Sequence, residues 1–560
     1  MRLLLTAVGV ALLAGTANQD LDLPRYHDIA QRAGTVRPDV SGSLPQKYLT
    51  ETTGSGAAFL DFDGDGRLDL YVVNGKTREQ AEEAQPGPPN ELYRNLGDGS
   101  FVEIGKRAGV AHTGWGGGVA VADYDNDGDP DLLVTNNGPN VLYRNNGDGT
   151  FADVTSKVGL RDDGWSTSAA FGDINADGNL DLYVCNYIHF DPRILDAIDP
   201  QFCRWKGLPV MCGPRGLPGD ADSLYLNRGD GTFVDITEES GVGNAEGRGL
   251  GVAFLDFDLD GDQDIYVAND SSPDFLYRND GQGHFLEMGL NAGIAFSMYG
   301  RAQAGMGVDS ADFDEDGNPD LAVTNFQGDY NALRRNLGGG VFADVSDAAG
   351  LSGTSWGRLS WGVKFFDANL DGFQDLFVVS GHIYPEVDGS GIGESYAQSN
   401  QLLINTPRGS LRKFTDVSEG VGISAMPSKS SRGLAVADVD NDGDWDLFIN
   451  DINETPTFLR DEASHQNHWA RLSLVGRKAN RDGVGARVVY RVNGRSHFRT
   501  VAPFGSYLAS GDLRLLLGLG GSTRATQVRV HWPGSEAATM VGPLSAGDQA
   551  VILEGVGRVR

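Results

Sequence analysis

The chain has 560 residues and 40% apolar content, enough for one large domain with a sizeable core plus a small one, and too apolar for a disordered chain. Acidic residues outnumber basic ones 77 to 45; the net charge of −32 excludes nucleic acid as a partner, because phosphates demand a basic face. The three cysteines include no CxxC pair, and the 78 glycines predict short strands joined by tight turns.

Residues 1–17 read MRLLLTAVGVALLAGTA. One Arg, an apolar run and small residues predict a secretory signal peptide, and the run is too short to cross a membrane as a helix. No Cys follows it, which argues against a lipid anchor, and no other membrane span is expected. The compartment implied is secreted, periplasmic or extracellular. There, Cys203 and Cys212, nine apart in a loop-like stretch, are expected to form a disulfide. Cys185, inside DLYVCNY, reads as a buried strand residue.

From residue 61 one pattern recurs seven times: D-x-[DN]-x-D-G-x-x-D, then an apolar run. An apolar, Gly-rich run precedes each copy, a third run resembling LYRN follows, and a GDG-like turn leads to a fourth, F-x-D-[VI]. Four strands per unit are a propeller blade. The predicted fold class is all-β: a seven-bladed β-propeller of four-stranded blades over residues 25–462, plus a small C-terminal β-domain. The last unit lacks a fourth run. RYHDIAQRAGT at 25–35 resembles the fourth run FADVTSKVGL at 151–160, and is expected to complete that blade and shut the ring.

The repeated loops are candidate metal sites. Positions one, three, five and nine offer side-chain oxygens. These are Asp61, Asp63, Asp65 and Asp69; Asp123, Asp125, Asp127 and Asp131; Asp173, Asn175, Asp177 and Asp181; and Asp256, Asp258, Asp260 and Asp264. The rest are Asp312, Asp314, Asp316 and Asp320; Asp367, Asn369, Asp371 and Asp375; and Asp438, Asp440, Asp442 and Asp446. Position seven can add its backbone carbonyl, and Gly at position six permits the sharp turn. Hard oxygen donors without His or Cys select calcium over zinc or copper, and Mg²⁺ keeps more of its water. About seven calcium ions would bring the formal charge from −32 to −18. Such ions, set in turns between two strands, are expected to be structural.

These loops and their flanks resemble the FG-GAP/VCBS repeats of integrin α-subunit propellers over roughly residues 25–462. Further on, NRDGVGARV (480–488), GSYLASGD (505–512), LGLG (517–520) and VRVHWPGS (528–535) resemble the ASPIC/UnbV domain. The order of domains is similar to the cartilage acidic protein family. The resemblance implies a secreted calcium-binding propeller and a small β-domain at 467–556, and it implies architecture more than activity. Asn480, Asp482, Arg487, Tyr507 and Asp512 carry the C-terminal motif, as a site or as braces for its Gly-rich turns.

Strand order puts the metal loops, between first and second strands, on one face. The long insertions at 75–89, 187–222 and 381–400 follow second strands and lie on the other face. Just ahead of first strands stand Trp115, Trp165, Arg248, Arg358, Trp361 and Arg432. They are candidates for a mouth that takes a glycan, a protein or a small molecule, or for packing round the axis. Catalytic signatures are scarce. GTSWG at 353–357 precedes a strand and forms no nucleophile elbow, and RGD at 228–230 is the repeat's own turn. His189 and His382, on the long loops, are weak acid–base candidates. A binding or adhesion scaffold is the leading reading. The alternatives are an enzyme of lyase, cyclase or isomerase type using His and Arg in the central pocket, and recognition by the C-terminal domain.

Overall fold

A computed structural model describes residues 21–43, 48–189, 203–408 and 411–560; the expected signal peptide lies outside them. The repeat unit folds as its composition dictates. In the second unit, Gly116–Ala122, Asp131–Asn136, Val141–Asn145 and Phe151–Asp153 pair antiparallel in that order. The first strand is built of Gly, Ala and Val and the second is mostly apolar, and both are buried along almost their whole length because neighbouring sheets cover both of their faces. The fourth is short and partly exposed at the rim.

Among the described residues, seven such sheets follow one another. Each first strand packs against the first strand of the next sheet, and Ser431–Ala437 of the last packs against Ala57–Leu60 of the first. The fold is a β-propeller. Tyr26–Asp28 pairs antiparallel with Thr457–Asp461, Tyr26 opposite Asp461, so the N-terminus supplies the outer strand of the last sheet. One side chain clips neighbouring sheets together. The third strand of six sheets carries, at one repeated position, an Asn whose amide donates to the preceding sheet. Asn145 Nδ2, for example, reaches Phe62 O at 2.9 Å. The last sheet has Asp461 at this place.

The C-terminal unit is two four-stranded sheets. Leu515–Gly520, His468–Val475, Gln549–Leu553 and Gly557–Arg558 form one, with a parallel pair at its centre. Arg495–Thr500, Arg487–Val492, Arg524–His531 and Thr539–Ser545 form the other. They close on a core that includes Leu472, Val488, Tyr490, Leu517 and Trp532.

This unit lies across the metal-loop face, and its residues 503–512 run into the propeller axis. Ser510 N donates to Ala57 O at 3.1 Å, and Val119 N to Leu508 O at 3.1 Å. Ser506 and Val308 exchange backbone bonds of 2.7 and 3.0 Å, and Asp512 N donates to Val436 O at 3.2 Å. Leu508 N donates to Ser168 Oγ at 3.0 Å. Tyr507 is fully buried, with its hydroxyl on Thr53 O at 3.1 Å. The axis is therefore plugged.

Glycine makes room for the plug. A Cβ on Gly56 would stand 1.7 Å from Leu508 O. Gly56→Ala is expected to cost about 1–3 kcal/mol through overpacking, read as a lower urea midpoint. Gly213→Ala, whose Cβ would meet nothing within 4 Å, is expected to leave the midpoint unchanged.

Candidate metal centres and the face opposite

All seven loops share one backbone path. Position four is left-handed in each, at Gly64, Asn126, Ala176, Leu259, Glu315, Leu370 and Asn441, and so is the Gly at position six. Position nine is the most buried of the ligands. Asp131 Oδ1 accepts Asn145 N at 2.7 Å and its Oδ2 accepts Tyr124 N at 3.2 Å. The same pair of bonds recurs at Asp69, Asp181, Asp264, Asp320, Asp375 and Asp446. Position one folds the loop over itself: Asp312 accepts from Asp316 N at 3.0 Å and Gly317 N at 2.8 Å.

The residues fit a hard divalent cation. Carboxylate oxygens of Asp61, Asp63 and Asp69 lie within 4.8 Å of one another, as do those of Asp123, Asp125 and Asp127, of Asp256, Asp258 and Asp260, and of Asp312, Asp314 and Asp316. Oxygens that the backbone does not use are buried and unpartnered, among them Oδ1 of Asp63, Asp123, Asp125, Asp256, Asp258, Asp314 and Asp438. A buried carboxylate oxygen without a donor is costly and is met by a cation. Burial raises the position-nine carboxyls, Asp69 and Asp264 to about 8 and Asp131 to about 9.

Sequence reasoning missed a set of arginines that belongs to these loops. Where loop position three is Asp, the third strand carries an Arg beside it. Arg94 Nε lies 2.7 Å from Asp63, Arg278 Nε 2.9 Å from Asp258, Arg335 Nε 2.6 Å from Asp314, and Arg460 Nη1 3.6 Å from Asp440. Arg144 acts on Asp125 in the same way at longer range. Where position three is Asn, at Asn175 and Asn369, the strand carries Leu226 and Ile404 instead. The additional carboxylate and the Arg come and go together, so the side chains at positions one, three, five and nine and this strand residue carry the same formal charge in every loop.

The FG-GAP-like repeat family matches residues 61–134, 123–184, 215–267, 256–323 and 312–378, and the ASPIC and UnbV family matches 476–558. The chain belongs to the FG-GAP-like repeat family. Cartilage acidic protein 1 of Homo sapiens is 26% identical over 344 residues, 60% of this chain and 48% of that protein. The Xenopus tropicalis protein of the same name is 26% identical over 334 residues, 58% and 48% of the two chains. The chain thus spans about half the length of these curated relatives. Among solved structures, the BP39L lectin of Burkholderia pseudomallei aligns with a TM-score of 0.44 and 12% identity, covering 74% of this chain and 97% of that one. Among the described residues no helix is long and apolar enough to cross a membrane.

The ASPIC/UnbV motif residues face the FG-GAP-like repeats. Asp482 Oδ2 accepts Asp123 N at 2.8 Å, and Arg487 donates to Gly317 O. Asn480 braces its own turn through Val484, at 2.8 and 2.9 Å, and Asp512 holds Arg514, which donates to Asp438 O at 2.7 Å. Glu315, buried at loop position four, accepts from Phe498 N and Arg499 Nη1, each at 3.1 Å. Arg471 Nη1 lies 2.6 Å from Asp438. A cavity of about 480 Å³ remains between the two domains, lined by Asp309, Lys364, Arg487, Arg499 and Arg514.

On the opposite face the Cys203–Cys212 disulfide, Cα–Cα 5.3 Å, closes a small hairpin. Trp205 on it donates Nε1 to Glu394 at 2.5 Å and meets Phe326 edge-on at 5.3 Å; Lys206 Nζ lies 2.5 Å from Glu394. His382 is fully buried beneath, its Nδ1 accepting Tyr384 N at 2.9 Å, and burial lowers it to about 4. His189 is exposed, and its N–H donates to Pro218 O at 3.2 Å. Arg432 is buried, stacked 4.1 Å from the Trp361 ring, with its donors on Thr52 O, Ser431 O and Ser430 Oγ. Trp361 Nε1 donates to Gly381 O at 2.9 Å, and Trp165 packs edge-on to Tyr187 at 5.0 Å. Arg248 donates to Leu217 O at 2.7 Å and Arg358 to Ser399 O, while Trp115 O accepts Asn137 N at 2.9 Å.

Arg335→Leu alone leaves Asp314 without its partner and is expected to destabilise the metal-free protein. Adding Asp314→Asn, as in the loops that carry Asn, is expected to restore it. A double-mutant cycle in chelator should give a coupling of about 0.5–1 kcal/mol. The raised carboxyls fix a pH dependence. Without metal the folded chain holds protons that the unfolded chain has released above the ordinary value of 3.8, so stability is full below 3.8 and falls as pH rises through about 8 to 9. Bound cation requires the ionised form, so with metal present stability is lost as pH falls. Melting curves at pH 5 and pH 8, with and without chelator, should show the two opposite slopes.

Proposed function

We propose that the chain is a secreted, calcium-binding propeller acting as an extracytoplasmic binding scaffold, with its ligand on the face opposite the metal loops. The observation that carries this reading is the position of the C-terminal domain. It covers the loop face and plugs the axis, which leaves the opposite face for recognition. There Tyr299 and Trp356 stand 59% and 48% exposed, joined through Tyr330, which stacks on Trp356 at 8° and 6.4 Å. Exposed aromatic planes on a rigid scaffold mark a contact surface, and rings with a polar edge suit a glycan. The segment at residues 1–17 and the disulfide agree with an oxidising compartment. Oxygen-only loops with left-handed turns favour calcium, which tolerates irregular coordination. Burial of His382 beneath the hairpin, away from solvent, supports binding over catalysis.

Two measurements test the proposal. Chelator is expected to lower the melting temperature by roughly 10 °C or more, because several sites bind the folded state alone; an unchanged temperature removes calcium from the reading. A glycan screen in calcium is expected to yield a ligand whose affinity falls at least about tenfold in Tyr299→Ala/Trp356→Ala with melting unchanged. Binding that the double substitution leaves intact places recognition elsewhere.

A further inference from the structure

The last sheet departs from the other six where the ring closes. There the clip residue is Asp461, which cannot donate as Asn does. It instead accepts Arg25 N at 2.7 Å, Ala463 N at 2.9 Å and His465 Nε2 at 2.8 Å. Loop position seven, half-buried in the other loops, is here the buried Asp444. Its carboxylate is grouped with those of Asp461 and the imidazole of His465, with donor atoms of all three within 4.8 Å.

We infer that Asp444, Asp461 and His465 form a second type of metal site, for a divalent first-row transition ion, which fastens the N-terminal segment and the interdomain link to the last blade. Asp461 is 2% exposed, Asp444 6%, and the His465 side chain 7%. Asp444 Oδ1 and His465 Nδ1 are buried without a hydrogen-bond partner among the described residues, and so are the neighbouring Trp445 Nε1 and Tyr26 Oη. Two enclosed carboxylates repel, and the ion pairs among the described residues give Asp461 only His465 and give Asp444 no cation. An imidazole beside two carboxylates is a donor set for zinc, manganese or iron, where the all-oxygen loops suit calcium. Asp22, 3.6 Å from His465 Nδ1, stands near enough to serve as a fourth ligand or to orient the imidazole. Its other oxygen accepts Gln466 N at 2.6 Å and Asn467 N at 2.8 Å, so it already ties the start of the propeller to the link between domains. One ion here would join three stretches of chain that meet only at this seam: residue 22, residues 444–461 and residue 465.

The test uses the full chain, stripped of metal and saturated with calcium so that the loops are filled. Zinc titrated into it by calorimetry is expected to show one tight site, weakened at least about 10–100-fold in His465→Gln, with the melting response to calcium unchanged. Cobalt in place of zinc is expected to give a visible absorption band characteristic of a mixed nitrogen and oxygen site, which His465→Gln abolishes. The cobalt spectrum of the unaltered chain decides the matter if that variant fails to fold. Equal zinc binding by the two proteins, or no cobalt band in the unaltered chain, overturns the inference. So does an Asp444→Asn variant that, in calcium, matches the zinc-saturated protein in melting temperature without any zinc, since the seam would then need only a proton between the two carboxyls.

Discussion

A carboxylate buried between strands is the interaction on which the rest of this molecule depends. At position nine of every loop an Asp accepts one N–H from its own loop and one from the end of the third strand. It therefore sets the register of three strands at once, in each sheet. That arrangement is strong only because both oxygens are used, and it places charge where water cannot reach. The remaining acidic groups of each loop, their orphaned oxygens and the arginines beside them follow from that placement. A cation among these oxygens would balance the negative charge gathered in each turn.

Much of this was legible in the sequence because it is local. The loop pattern, its four flanking runs and the Asp-rich ligand positions all lie within one repeat, and repetition made them visible. The missing fourth run of the last unit pointed to Tyr26–Asp28, now paired with Thr457–Asp461. Other features were not legible because they are pairings across the fold. Arg335 beside Asp314 is separated from it by a strand, and only comparison of all the repeats with Leu226 and Ile404 reveals the pattern. Trp361 and Arg432 read as either a mouth or packing round the axis, but nothing in the sequence says that Tyr507 of another domain packs against Trp361 at 5.0 Å. Glu315 carries no signal within its own repeat, and it is the anchor for Arg499 and Phe498.

The two domains form one structure. Motif residues of the C-terminal unit, Asp482, Arg487 and Tyr507, spend their polar groups on the propeller. The repeat is also deliberately imperfect. At the seam, where Tyr26–Asp28 joins strands of residues 431–461, Asp461 replaces the Asn clip and the position-seven residue, Asp444, is buried.

The plug has a mechanical consequence. Residues 506–512 bond to the innermost strands of separate sheets, at Ala57, Val119, Ser168, Val308 and Val436. These attachments radiate from one short segment like spokes from a hub. A force that lifts the C-terminal domain along the axis loads them side by side, so they share it and must give way together. Peeling one sheet from the rim meets its bonds one after another. The molecule is therefore toughest along its axis, and its compliant direction lies in the plane of the ring.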